Sequence, residues 1–185
     1  YICNFIMSTL ETNLIQPSTG TTLTVGASGD TVTAPTGVTV AGAMASTPSF
    51  YVKLSSDQNV AGSTQVKVTW DTEVYDTDSA FASNKFTVPT GEGGKYFFYY
   101  KVALDDLDDG EFMQLNLYKN GSEQSNYLFT VRSMAASYTN YGQISGIIDL
   151  SAGDYLETYI YHGAAGTQHL ESAYSLFAGY KLIGV

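Results

Sequence analysis

Five carboxylates fall within the seven residues Asp105-Asp106-Leu107-Asp108-Asp109-Gly110-Glu111, the densest run of potential metal ligands in the chain. Ca²⁺ takes about six to eight oxygen ligands, and Asp105, Asp106, Asp108 and Asp109 are the candidates to supply them. The run departs from the D-x-D-x-D-G calcium loop because Leu107 interrupts it. Without a cation these charges repel one another, so a solvated turn and no resident cofactor is the simpler expectation. His162 and His169 are the only histidines. A hydrolytic triad needs one of them beside an activated serine and an aspartate. The chain has no G-x-S-x-G elbow, no H-E-x-x-H and no Cys-His pair. It also lacks a phosphate loop and a dinucleotide fingerprint. No residue is a catalytic candidate, and the expectation is a protein that is not an enzyme. Asn120-Gly121-Ser122 satisfies the glycosylation pattern, but Asn-Gly is the commoner chemistry of a two-residue hairpin turn.

The aromatic residues carry more information. Fifteen tyrosines exceed what a single core can hold, since each buried hydroxyl needs a partner. Rings left over from a core go to interfaces, where an apolar body and a wet end both fit. Tyr138, Tyr141, Tyr161 and Tyr174 are candidates for a binding surface, where they could stack on sugar rings. The plainer reading of each is packing between loops.

Composition narrows the class. Lys and Arg number 8 against 18 Asp and Glu, a net charge of −10. No basic patch is available to neutralise phosphates, which argues against a nucleic-acid partner. The single cysteine, Cys3, excludes an intrachain disulfide. No apolar run approaches the roughly 20 residues that span a bilayer. Abundant Tyr, Gly, Thr and Ser with 14% charged residues point to an all-β chain.

The elements that must position these residues follow from the alternation. Residues 8–47 contain no aromatic residue and repeat Leu23-Thr24-Val25, Thr31-Val32-Thr33 and Val38-Thr39-Val40 between Gly-rich turns. Such a segment cannot bury enough apolar surface alone. Wrapped with other copies around one axis it forms a fibrous stalk; the plain alternative is a flexible linker. Residues 1–6 read as an extension upstream of a natural start at Met7, and Pro48 marks the domain boundary. Beyond it, Phe50–Leu54 opens the head. Gln65–Trp70 alternates with Val66, Val68 and Trp70 on one face. Phe86-Thr87-Val88 ends a strand, and Pro89, Gly91, Gly93 and Gly94 break it. Tyr96-Phe97-Phe98-Tyr99-Tyr100 then resumes as a strand aromatic on both faces, a core strand with an interface on its back. Further strands are expected at Phe112–Lys119, Tyr127–Arg132, Gly142–Leu150, Tyr155–Tyr161 and Tyr174–Ile183, with helix minor.

Phe86, a Pro/Gly turn, then Gly94, Tyr96, Phe98 and Tyr100 resembles the signature of the C1q globular head, within the tumour necrosis factor-like jelly-roll superfamily. The turn departs from it by two extra residues, which cost little in closure entropy. Gly142–Leu150 followed by Gly153-Asp154 and an aromatic strand is similar to a second hallmark. Ser175-x-Phe177-x-Gly179 with Leu182 is similar to the closing strand. The resemblance covers residues 50–185 and implies a jelly-roll β-sandwich that forms homotrimers through an aromatic seam. Tyr96, Phe98 and Tyr100 on one face, or Phe97 and Tyr99 on the other, are the seam candidates, with Phe177 and Tyr180. Gly29 to Val40 also resembles segments near the N-termini of tailed-phage structural proteins. Together these give an expected stalk or anchor over 1–47 and a head over 48–185. The expected protein is a homotrimeric virion component, as capsid decoration or tail fibre, held to other virion proteins by its N-terminal segment. Its head would face outward toward a host-surface glycan or protein. The competing class is a C1q-like carbohydrate- or protein-binding module of a cellular organism.

Overall fold

The computed structural model of the chain describes residues 47–183 together with Thr31 and Thr36. The expected stalk or anchor, and the upstream extension at 1–6, otherwise lie outside the described residues. Among the described residues every regular element is a strand. They are β1 (Ser49–Lys53), β2 (Gln58–Ala61), β3 (Val66–Lys67), β4 (Thr72–Asp76), β5 (Phe81–Ala82), β6 (Lys85–Thr87) and β7 (Gly94–Leu107). After these come β8 (Phe112–Lys119), β9 (Ser122–Arg132), β10 (Tyr138–Leu150), β11 (Tyr155–His162), β12 (Thr167–Leu170) and β13 (Leu176–Lys181). They form two antiparallel sheets, one of seven strands and one of six.

In the larger sheet β7 is central, paired with β10 along one edge and with β13 and then β12 along the other. Strands β1 and β4 continue beyond β13, and β2 beyond β12. In the smaller sheet β11 is central, with β8 and β9 on one side and β6, β5 and β3 on the other. Strand β7 is buried at every second residue from Tyr96 to Leu104, because its side chains alternate across the pleat. Tyr96, Phe98 and Tyr100 therefore point into the sandwich with Phe50, Val52 and Phe177. They meet Phe86, Leu115, Leu117, Leu156 and Ile160 of the other sheet.

Aromatic rings bind the layers together. Phe50 stacks on Phe86 at 4.6 Å and on Phe81 at 5.4 Å, and meets Phe177 edge-on at 4.9 Å. Phe177 also touches Trp70, Phe81 and Tyr100. The polar ends of the buried Trp70 and Tyr100 rings are satisfied: Trp70 Nε1 donates to Thr158 Oγ1 at 2.9 Å, and the Tyr100 hydroxyl to the Tyr159 carbonyl at 3.2 Å. Burial pushes the Tyr100 hydroxyl pKa well up, so it stays a neutral donor. Gly179 admits this packing, since a Cβ there would meet the Phe50 ring and the Phe97 carbonyl.

Several expected elements differ in extent. The strand expected over Gln65–Trp70 is in register with β11 at Val66 and Lys67, and its last bond to β11 runs from the Val68 amide to the Thr158 carbonyl at 3.0 Å. Beyond that the Gln58 side chain stands in for a neighbouring strand, donating to the Lys67 carbonyl at 2.9 Å and accepting from the Thr69 amide at 2.8 Å. Val68 and Trp70 are still buried, as the alternation requires. Strand β7 runs on through Asp105 and Asp106, because Leu107 is fully buried and extends the sheet into the acidic run. The two-residue turn at Asn120-Gly121 joins β8 to β9, with φ of 52° and 77° respectively. The extra residues of the Pro89–Gly93 turn are held by the Lys181–Glu92 ion pair at 2.9 Å.

The far end of the smaller sheet is closed by Asp154. Its carboxylate accepts from Asn120 Nδ2 at 2.7 Å, from the Ser151 amide at 2.8 Å, and pairs with Lys119 at 2.8 Å. The Lys119 bond first, then those from Asn120 and Ser151, lower its pKa from 3.8 to about 2. A depressed carboxylate contributes stability that is complete above the unfolded value and is lost as pH falls through the folded one. Asp154→Asn is expected to flatten the decline in unfolding free energy between about pH 4 and 2, read by urea melts across that range; an unchanged slope would contradict the assignment. Phe177→Ala leaves a cavity beside Phe50, Trp70, Phe81 and Tyr100 and should cost about 3–5 kcal/mol in the same assay at neutral pH.

Candidate interaction surface

The groups singled out for chemistry are dispersed by the fold. The Asp105 carboxylate accepts from the His169 amide at 2.8 Å, and that of Asp108 from the Ser137 amide at 3.2 Å. Glu111 turns back to the Asp108 amide at 2.9 Å. Asp105 and Asp106 sit in strand β7 while Asp108 and Asp109 sit in the turn, so the four calcium candidates do not converge. Among the described residues no group of three or more His, Cys, Asp or Glu side chains is placed to hold a metal ion.

His162 is fully buried, its Nε2 2.9 Å from the Val60 carbonyl, and is part of the core. His169 Nδ1 lies 2.8 Å from Asn59 Oδ1, on β12 beside the edge strand β2 of the larger sheet. The histidines therefore sit in separate settings: the His162 ring is bonded to the Val60 carbonyl, and the His169 ring, although within electrostatic reach of Asp57 and its partner Ser172, is bonded to Asn59. The Asn120 side chain is committed at both ends, donating to Asp154 and accepting from the Tyr155 amide at 2.9 Å. Its role is to shape the hairpin.

The outer face of the larger sheet is a different matter. Register aligns its outward side chains in rows across the strands. Ile147, Phe97 and Tyr180 lie side by side on β10, β7 and β13. One step along, Ser145, Tyr99, Ala178, Tyr51 and Tyr75 make a second row reaching β4. The third contains Gln143, Lys101, Leu176 and Lys53. Phe97 and Tyr180 pack at 5.4 Å between centroids, and Tyr51 and Tyr75 at 6.2 Å. Ile147 is 54% exposed, Tyr75 48% and Tyr180 41%, so large apolar side chains stand bare on this face.

The outward tyrosines of the smaller sheet are covered by comparison. Tyr118 lies on Tyr159 at 4.3 Å and Tyr161 on Phe112 at 5.7 Å, and the Lys67–Glu157 pair at 2.6 Å lies among them. Of its strands only the edge strand β9 leaves large apolar side chains exposed, at Leu128 and Phe129.

The candidates for a seam divide accordingly. Tyr96, Phe98, Tyr100 and Phe177 are at most 1% exposed and belong to the chain's own core, so they are not available to a partner. Phe97, Tyr99 and Tyr180 occupy the outer face. Of the surface-binding candidates, Tyr141 and Tyr174 meet edge-to-face at 5.6 Å, both about half exposed, with Tyr138 nearby on β10. Partial desolvation, then the neighbouring Tyr174, Glu171 and Tyr138, raise the Tyr141 hydroxyl pKa. Tyr161 is separate from them, on the other sheet.

Neither a family model nor a curated protein matches the sequence. Solved structures do match the fold. The globular domain of zebrafish complement 1qA superposes with a TM-score of 0.55 at 18% identity, over 73% of this chain and 96% of that one. Murine APRIL gives 0.54 at 17% identity, over 72% and 98%. Eiger TNF from S. frugiperda gives 0.50 at 18%, over 74% and 92%. The fold is the jelly roll of C1q and tumour necrosis factor domains. Within that jelly roll the recognisable residues face inward: Tyr96, Phe98 and Tyr100 from β7, and Ser175, Phe177 and Gly179 from the closing strand, are all buried. Their spacing reports core packing. The outward residues Tyr51, Tyr75, Ile147, Lys53 and Lys101 escaped the sequence reading because none stands in a motif. The only signal was parity, since positions between inward ones must point outward.

Proposed function

We propose that the head is a non-catalytic assembly module that closes on itself as a homotrimer through the outer face of the larger sheet. The carrying observation is the concentration of exposed apolar side chains there. Val74, Tyr75, Ile147, Tyr141 and Tyr180 all belong to strands of that sheet. An interface core wants aromatic and aliphatic side chains with few charges, which the row of Ile147, Phe97 and Tyr180 and the adjoining Tyr99 provide. The jelly-roll likeness supports three as the number of copies, as the sequence resemblance implies.

Placement on a virion, as capsid decoration or fibre, rests on sequence alone, on the Thr/Val/Gly pattern of residues 7–47, the start-like Met7 and the single cysteine, and is the finer part of the reading. In it the N-terminal segment anchors to the particle, and three heads gain avidity for a repetitive surface. A carbohydrate- or protein-binding module of a cellular organism uses the same assembly without the particle.

Light scattering on the full chain is expected to give three times the 19.9 kDa chain mass. Ile147→Glu, at an exposed position with no core contact to lose, should shift that mass toward the monomer by placing a charge in a desolvated seam. A wild-type monomer at tens of micromolar, or a variant with unchanged mass, would contradict this placement of the seam.

A further inference from the structure

The chain has eight cationic side chains, and their partners are unevenly distributed. Lys67, Lys95, Lys119 and Lys181 are ion-paired. Lys85 lies over the Tyr155 ring, and Arg132 over Phe112 with a bond to the Gly110 carbonyl. Among the described residues Lys53 and Lys101 alone have no such partner. They stand in the same outward row, with Leu176 between them. Both line a cleft of about 390 Å³, whose other walls include Tyr51, Tyr174, Ser55 and Ser172. That volume falls within the roughly 300–1,000 Å³ of small-molecule sites. In a chain of net charge −10, unpaired ammonium groups sharing one cleft are a specific feature rather than a general surface property.

The serines define the ligand further. Ser55 donates its amide and hydroxyl to the Asp71 carboxylate at 2.7 and 2.6 Å. Ser172 does the same to Asp57 at 2.7 and 2.8 Å. Each hydroxyl proton is thereby committed, and what each oxygen can still offer is a lone pair. The cleft thus combines ammonium donors with hydroxyl acceptors beside two tyrosine rings. A simple anion has no protons for the acceptors. A neutral sugar has no charge for the lysines.

We propose that this cleft binds a sugar acid: Lys53 and Lys101 hold its carboxylate, the Ser55 and Ser172 oxygens accept from its hydroxyls, and Tyr51 and Tyr174 flank the ring. Charge-assisted bonds from the lysines supply the affinity, the serines select a polyhydroxylated ligand, and the open cleft makes binding salt-sensitive. The site does not depend on self-association, because all of its residues come from one chain.

The test is isothermal titration of the full chain with glucuronate, galacturonate and N-acetylneuraminate, alongside glucose and acetate. Saturable binding is expected for at least one sugar acid, with glucose and acetate each at least about tenfold weaker, since each lacks one class of bond. Lys53→Gln combined with Lys101→Gln removes no hydrogen bond, ion pair or ring contact within the described protein, and glutamine keeps much of the aliphatic stem, so the fold should persist. It should weaken sugar-acid binding by more than about tenfold. The proposal is overturned by absence of binding to all three sugar acids, by equal binding of acetate, or by unchanged binding in the double variant. Scattering masses of both proteins are recorded in the same samples. A double variant that loses mass, with no sugar acid bound by the wild type, assigns the lysines to a carboxylate of a neighbouring copy and also overturns the proposal. A wild-type monomer that binds a sugar acid leaves this site standing and removes the trimer instead.

Discussion

The ring of Phe50 sits between the two sheets, and the rest of the head depends on what it touches. It stacks on Phe86 and Phe81 from the smaller sheet and meets Phe177 of its own sheet edge-on. Fully burying one such side chain is worth about 1.5–3 kcal/mol, so the cluster is a large share of the net stability of a domain this size. Its demand is also geometric. Because β13 presents Phe177 to it and β7 presents Tyr100 to Phe177, the parity of both strands is set, and a slip of one residue would turn every side chain over. Gly179 is small at the point where Phe50 and the Phe97 carbonyl approach.

The same parity creates the outer face. With Tyr96, Phe98 and Tyr100 inward, Phe97 and Tyr99 are outward whether or not a neighbour covers them. On the smaller sheet the outward rings lie against one another and around the Lys67–Glu157 pair, which shields them. On the larger sheet Ile147, Tyr75 and Tyr180 remain bare. The face also changes character along the strands, from the apolar row through Phe97 to the row holding Lys53 and Lys101. In the proposed reading, contact between copies and capture of a small ligand fall to neighbouring rows of one sheet.

The architecture was legible in the sequence to the extent that it is local. Alternation located the strands around Tyr96–Tyr100, Phe112–Lys119 and Tyr155–Tyr161, and Asn120-Gly121 marked the hairpin. The jelly-roll likeness was carried by Tyr96, Phe98, Tyr100, Phe177 and Gly179, all now seen as core residues. That is why one of the two faces offered for the seam, with Phe177, lies in the core: the positions that identify a fold are those it buries. The reach of β7 into the acidic run was illegible because Leu107 gives no sign, in sequence, of lying over the core. Nor could sequence pair Lys53 with Lys101, 48 residues apart, since only the register through Leu176 brings them together.

The central claim is that Phe97, Tyr99 and Tyr180 are covered by a second copy, although each points away from its own core. Hydroxyl-radical footprinting with mass spectrometry reads this directly on the native chain, with Tyr118, Tyr159 and Tyr161 of the other sheet as internal reference. Protection of Phe97, Tyr99 and Tyr180 at high protein concentration, released on dilution while the reference rings stay constant, is the predicted result. Equal reactivity of these rings at all concentrations would contradict the account.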